Sequence, residues 1–550
     1  MARRTDWLLV AAMLATWAPA PPLSAQAASP AVPPGAGVGA AKHEDSPVMR
    51  IPPIGPSAAM WKVEPGAARP EIQPRRFVSH HKGSFAGRRI AYSVVAEDSI
   101  LRDTLGAPTG SIFAFSYLAD KVSMVEQRPV LFIFNGGPGS SSLWLHMGIL
   151  GPRKVDFRDV TPSQVPPFRV VDNPDSLLAV TDLVFIDPIG TGFSRYWGKG
   201  AASDFYGREQ DAAAMVRFIN AWLREHGRWN SPKYLLGESY GTTRANLVAR
   251  RLMGGFLDGT LKGVSLNGVI LVGGDGGLSK PIGNDRFAIS FTTMAATAWY
   301  HDRVDKTGRS FDRFIAEAER FALDELVPAL DGWGGLDERA KAAVATRHAA
   351  FSGLTPAFLL SKDLRIAPSD YVTALLADRK EVIGFYDSRY SLPVAGSLGD
   401  PVADDAAMGQ YSAPFIGAFN SYIRDELGVA IDDDYVVIDW INVNLPWNHG
   451  GKAEANATPF NQGEGDPGAD LAAMMRRNPD LRLMSIQGWF DMFGAVGSAR
   501  YGIKQRKLPE DRVTEKAYWS GHMAYVGDAG PKMAADLKDF ILRSSAAAQR

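Results

Sequence analysis

Four short apolar runs between residues 129 and 273 constrain this chain more than any other feature. They are PVLFIF ending at Phe134, DLVFID ending at Asp187, KYLLG ending at Gly237 and GVILVG ending at Gly273. Runs of this length with little polar alternation read as strands buried on both faces. Between them lie helical patterns such as DAAAMVRFINAWLREH, with apolar positions at Met215, Val216, Ile219, Trp222 and Leu223. Strands alternating with helices predict an α/β fold with a mostly parallel central sheet flanked by helices.

The alternation stops near Asn284. From there to about Asp434 the chain reads as helical and irregular, as in SFDRFIAEAERFALDELVPAL and GLDERAKAAVATRHAAF. Strand patterns resume with DYVVIDW, with LRLMSIQGW ending at Trp489 and with RVTEKAYW ending at Trp519. Neither half carries a finished sheet, so an insertion between two strands explains the order better than tandem domains. The expected division is a signal peptide (1–27), an Ala/Pro/Gly-rich linker (28–75), a first core part (76–284), a cap insertion (285–434) and a second core part (435–550).

The N-terminus carries Arg3 and Arg4, an apolar run from Trp7 to about Trp17, and small residues at Ala25 and Ala27. This is the pattern of a cleavable export signal. The run falls short of the about 20 residues a spanning helix needs, so no stable membrane insertion is expected once the signal is removed. The expected address is periplasmic or secreted. A formal charge of −1 supplies no field for nucleic acid. The 550 residues include no cysteine, which removes disulfides, thiolate metal sites and cysteine nucleophiles. The histidines lack metal-ligand spacing, and Gly273-Gly274-Asp275-Gly276-Gly277 lacks the full dinucleotide fingerprint, so no cofactor is expected. Asn456-Ala457-Thr458 is a sequon that matters only in a glycosylating compartment.

The segment KYLLGESYGTTRANLVARRL runs from a strand through Gly237-Glu238-Ser239-Tyr240-Gly241 into a helix. A G-x-S-x-G turn in that setting forces the serine onto a strained bend with its hydroxyl exposed at a helix N-terminus. The same residues alone would pass for a plain glycine-rich turn; the flanking elements favour a nucleophile. Asn135-Gly136-Gly137-Pro138-Gly139 ends another buried strand, where backbone N–H groups can approach a developing oxyanion.

Taken in order, N-G-G-P-G-S-S-S at 135–142, D-P-I-G-T-G-F-S at 187–194, G-E-S-Y-G at 237–241 and the late Asp and His segments resemble the serine carboxypeptidases, a branch of the α/β-hydrolases. The resemblance covers most of the chain after about residue 76. It implies an α/β-hydrolase fold with a helical cap and a Ser239, Asp491, His522 triad, since in these enzymes the acid and base follow the nucleophile at the ends of later strands. His449 is the competing base, but it precedes Asp491 and follows no strong strand. The resemblance also implies oxyanion donors at the backbone N–H of Gly137 and Tyr240, and recognition of a substrate's terminal carboxylate by Asn135 and Glu238.

Two contributors of the family pattern are missing: Ile133 stands where a Trp is usual and Ile149 where a second Glu is usual. Without that partner, Glu238 must be protonated by desolvation or bind substrate differently, so weaker exopeptidase recognition is expected. The favoured function is release of C-terminal residues from a peptide substrate through an acyl-enzyme. The alternatives are an esterase or acyltransferase using the same triad, and a catalytically silent binding protein. Oligomeric state and side-chain preference are not legible in the sequence.

Overall fold

The computed structural model describes residues 73–547, except 161–164, 256–258 and 451–465. The expected signal peptide, nearly all of the linker and the Asn456 sequon lie outside the described residues.

One ten-stranded sheet organises the chain. Its strands are β1 (Arg76–Phe85), β2 (Arg88–Arg102), β3 (Pro108–Ala119), β4 (Val130–Phe134), β5 (Asp182–Ile186), β6 (Arg195–Tyr196), β7 (Lys233–Glu238), β8 (Gly268–Val272), β9 (Arg482–Gly488) and β10 (Val513–Tyr518). The spatial order is β1-β2-β3-β5-β4-β7-β8-β9-β10, with β6 paired to β3. The β1–β2–β3–β5 pairings are antiparallel, while β5, β4, β7, β8, β9 and β10 run parallel.

The apolar runs work because a strand's side chains alternate between faces. Leu131 and Ile133 of β4 join Leu183, Phe185, Leu236, Ile270 and Ile486 in one core. Val130, Phe132 and Phe134 join Val184, Leu235, Leu271 and Leu483 in the other. The second face is covered by α1 (Arg208–Glu225) and α2 (Tyr240–Met253). There Trp222 of α1 meets Phe132 edge-on at 5.3 Å, and its indole N–H donates to Ser116 Oγ at 3.0 Å. Fully burying an apolar side chain of this kind stabilises by about 1.5–3 kcal/mol.

The segment expected to form the insertion, 285–434, contains α3 (Asp285–Tyr300), α4 (Phe311–Phe321), α5 (Glu338–Ser352) and α6 (Met408–Ser421), with a short antiparallel pair, Glu381–Ile383 and Ser391–Pro393. Phe291, Met294, Phe314, Phe321 and Tyr371 build a third core that also takes in Phe490 and Met492. Tyr411, Phe415 and Phe419 of α6 instead belong to the first face of the sheet. The strand expected at DYVVIDW does not form. Val436 and Ile438 make only isolated bridges to Gly192 and Ser140, and a π-helical turn begins at Trp440. The alternation there serves to clamp two loops, because the parallel ladder has no edge free in the middle of the sheet.

α7 (Ala495–Gln505) and α8 (Ala529–Ala547) complete the layers. The chain leaves every parallel strand at the same edge, so the loops after β4, β7, β8, β9 and β10 come together. Ligand sites in open α/β sheets form at that carboxyl edge.

Candidate active site

Ser239 follows β7 directly and caps α2 with φ +60° and ψ −128°. A non-glycine residue is strained in that region, by an amount of order 1–3 kcal/mol. The two flanking glycines permit the bend. A Cβ at Gly237 would lie 2.0 Å from the Gly241 carbonyl oxygen, and one at Gly241 would lie 2.9 Å from the Phe134 carbonyl oxygen. The Ser239 N–H donates to Val272 O of β8 at 2.9 Å, which ties the bend to the neighbouring strand. Its side chain remains half-buried rather than sealed in the core.

Asp491 and His522 arrive from the ends of β9 and β10. The His522 Nδ1–Asp491 Oδ2 distance is 2.8 Å, with Asp491 fully buried and His522 5% exposed. The Phe493 N–H donates to Asp491 Oδ1 at 3.0 Å, and the His522 N–H donates to Tyr386 O of the insertion at 2.7 Å. Phe493 and Tyr386 flank the imidazole, with ring centroids at 4.8 and 5.4 Å. Burial alone would lower the His522 imidazolium, but the Asp491 carboxylate, helped by Glu238, outweighs it and holds the group above its ordinary value. The turn after β8 packs against both this pair and the serine. A Cβ at Gly273 would lie 2.7 Å from His522 O, and one at Gly274 would lie 3.1 Å from Ser239 O.

The glycine loop after β4 lies on the serine turn. A Cβ at Gly136 would come within 2.5 Å of Tyr240 N and 2.6 Å of Glu238 O, and Gly137 has φ +98°. Asn135 and Glu238 do meet: Asn135 Nδ2 donates to Glu238 Oε2 at 2.7 Å, and each residue is 3% exposed. Burial pushes the Glu238 carboxyl up to about 7, against His522, Tyr525 and Asn135, which favour its ionised form.

Several supporting residues were not singled out from the sequence. The Tyr525 hydroxyl donates to Glu238, at 3.1 Å from Oε2 and 3.4 Å from Oε1. Arg244, fully buried on α2, donates from Nε to Asp211 Oδ2 at 2.6 Å and from Nη1 to Asn135 O at 2.5 Å. Asp187 Oδ1 accepts from the Ser142 N–H at 2.9 Å and from the Tyr435 hydroxyl at 3.1 Å, which anchors the far end of the glycine loop. Burial pushes Asp187 up to about 7. Asp187 falls in a quoted motif and Arg244 on the helix after Ser239; Tyr525 carried no signal beyond its nearness to His522.

Ile133 lies in the sheet core and Ile149 in a π-helical turn, His146–Leu150. The competing base, His449, is exposed. A cavity of about 550 Å³, lined by Gly148, Ile149, Phe157, Phe415 and Tyr525 among others, shares Tyr525 with the surroundings of Glu238. Among the described residues there is no group of His, Asp or Glu that could hold a metal, and no helix long and apolar enough to cross a membrane.

Residues 109–322 match the family model described as serine carboxypeptidase. Serine carboxypeptidase-like 13 from Arabidopsis thaliana is 29% identical over 128 residues, covering 23% of this chain and 29% of the relative. Serine carboxypeptidase ctsa-3.1 from Caenorhabditis elegans is 32% identical over 127 residues, covering 22% of this chain and 20% of the relative. The matched stretch thus spans less than a third of these relatives. The crystal structure of Kex1(delta)p, a prohormone-processing carboxypeptidase from Saccharomyces cerevisiae, superposes with a TM-score of 0.51 at 16% identity, covering 82% of this chain and 91% of that one. The likeness identifies the fold as that of the α/β-hydrolases.

Proposed function

We propose that this chain, whose residues 109–322 match the serine carboxypeptidase family model, is an exported serine-type carboxypeptidase acting on peptides through an acyl-enzyme. His522 Nε2 takes the Ser239 hydroxyl proton as Oγ attacks the scissile carbonyl carbon. The C–N bond then breaks, and His522 returns the proton to the leaving amine. Water, activated by the same imidazole, hydrolyses the ester on Ser239. Asp491 keeps the Nδ1 proton in place, so that Nε2 faces the serine, and stabilises the imidazolium. The main-chain N–H groups of Gly137 and Tyr240 are assigned to the oxyanion, where one such donor is worth about 100- to 1000-fold in rate.

Asn135 and Glu238 are assigned to the substrate's terminal carboxylate. A protonated Glu238 can donate to an anion that an ionised one would repel. The residues of the expected cap, 285–434, are assigned to shaping the substrate site. Tyr386 O supports this, since an insertion residue holds the His522 main chain.

The observation that carries the reading is the 2.8 Å His522–Asp491 contact beside a serine held at φ +60°. A fluorophosphonate should label the wild type and fail on Ser239→Ala. Mass spectrometry of a defined peptide should then show a ladder of products from the C-terminus. Internal cuts only, or labelling without peptide cleavage, would refute the carboxypeptidase assignment while leaving the nucleophile standing.

A further inference from the structure

Glu238 is held by two donors rather than one, and the second is not the carboxyl that the sequence comparison leads one to look for. Ile149 cannot share a proton with it. The Tyr525 hydroxyl bonds to Glu238 at 3.1 Å, while Asn135 Nδ2 bonds to Oε2 at 2.7 Å. All three side chains are 3% exposed. The Tyr525 ring has room only because residue 148 is glycine: a Cβ there would lie 2.3 Å from the ring. Gly148 and Ile149 thus give up the polar side chain of their turn and admit an aromatic one from the loop after β10.

We propose that Tyr525 is the second recognition group for the substrate's terminal carboxylate, in place of the missing glutamate. The inference rests on the carboxypeptidase reading above. In the free protein the phenol donates to Glu238. When a substrate carboxylate arrives, the phenol, the protonated Glu238 and the Asn135 amide are three donors converging on one anion.

The exchange changes how recognition depends on pH. Two facing carboxyls share a proton and titrate in two coupled steps. A carboxyl facing a phenol has one step, because burial and the nearby Glu238 hold the Tyr525 hydroxyl well above its ordinary value. The other ionisable groups facing Glu238 are His522 and Asp491 from the β10 and β9 loops. On the 146–150 turn, His146 is turned away and bonded to the Tyr117 hydroxyl. Recognition of a free C-terminus should therefore follow a single proton, lost as pH rises through about 7.

The test compares wild type and Tyr525→Phe on one acylated dipeptide as the free acid and as its C-terminal amide. The expected result is a fall of about ten- to a hundredfold in the acid-to-amide ratio of kcat/KM for the variant, carried by KM, the size expected for losing a hydrogen bond to a charged group. An unchanged ratio, or a loss equal for acid and amide, overturns the proposal. Should the variant fail to fold, as judged by thermal melting, the wild-type profile decides: log KM for the acid should rise above pH 7 with a slope of one, and a slope of two overturns it. Wild type that cleaves neither peptide, yet is labelled at Ser239 by fluorophosphonate, would show instead that the carboxypeptidase reading has failed.

Discussion

Glu238 offers a measurement in which the structure sets the size of the effect. Its carboxyl is fully inside the protein and burial raises it from 4.5 to about 7. The native state therefore holds this proton more tightly than the unfolded chain does. Stability from this group is greatest below about 4.5 and is lost as pH rises through about 7. The full difference corresponds to about 3 kcal/mol, at about 1.4 kcal/mol per pH unit. Glu238→Gln keeps the size of the side chain and stays neutral, so it escapes the loss. Urea denaturation at about pH 5 and pH 8.5 should show the two proteins close at the acid end and the variant more stable by about 3 kcal/mol at the alkaline end. Ionisations common to both, including that of Asp187, cancel in the comparison. A difference that stays flat across this range would refute the reasoning, because it would mean that Glu238 is ionised in the fold at little cost. The substitution also removes a negative charge that helps hold His522 up, so the acid limb of kcat should move to lower pH.

Asp491→Asn should lower kcat by about 10⁴-fold with little change in KM, because an amide facing Nδ1 favours the wrong imidazole tautomer; steady-state kinetics on an activated ester checks this. Arg244→Met should cost about 3–5 kcal/mol in chemical denaturation, since it leaves Asp211 buried without its partner. The same change frees the Asn135 carbonyl, so the surviving folded protein should also discriminate less between peptide acids and amides.

The inner strands β4, β5, β7 and β8 were legible because they are short and buried on both faces. A period-2 reading failed only at DYVVIDW, where Val436 and Ile438 bridge loops instead of joining a ladder. That pattern cannot separate a strand from a clamp, since both bury alternate residues. The serine turn was legible because it is local: two glycines and a serine must share one bend between a strand and a helix. Asp491 and His522 could be placed at strand ends, but their 2.8 Å contact could not be read from position alone.

By itself the sequence determined the layers, the serine turn and the glycine loop beside it, because backbone sterics and alternation act over a few residues. Only the tertiary structure decided which groups surround them. Tyr386 holds the His522 main chain, and Phe490 and Met492 tie the Asp491 loop to the core built by residues 285–434. Tyr525 reaches a glutamate 287 positions away. Such pairings depend on how a parallel sheet gathers distant loops at one edge, and on which side chain finds space there. The absence of a side chain at Gly148 made that space for Tyr525, and no local pattern announces it.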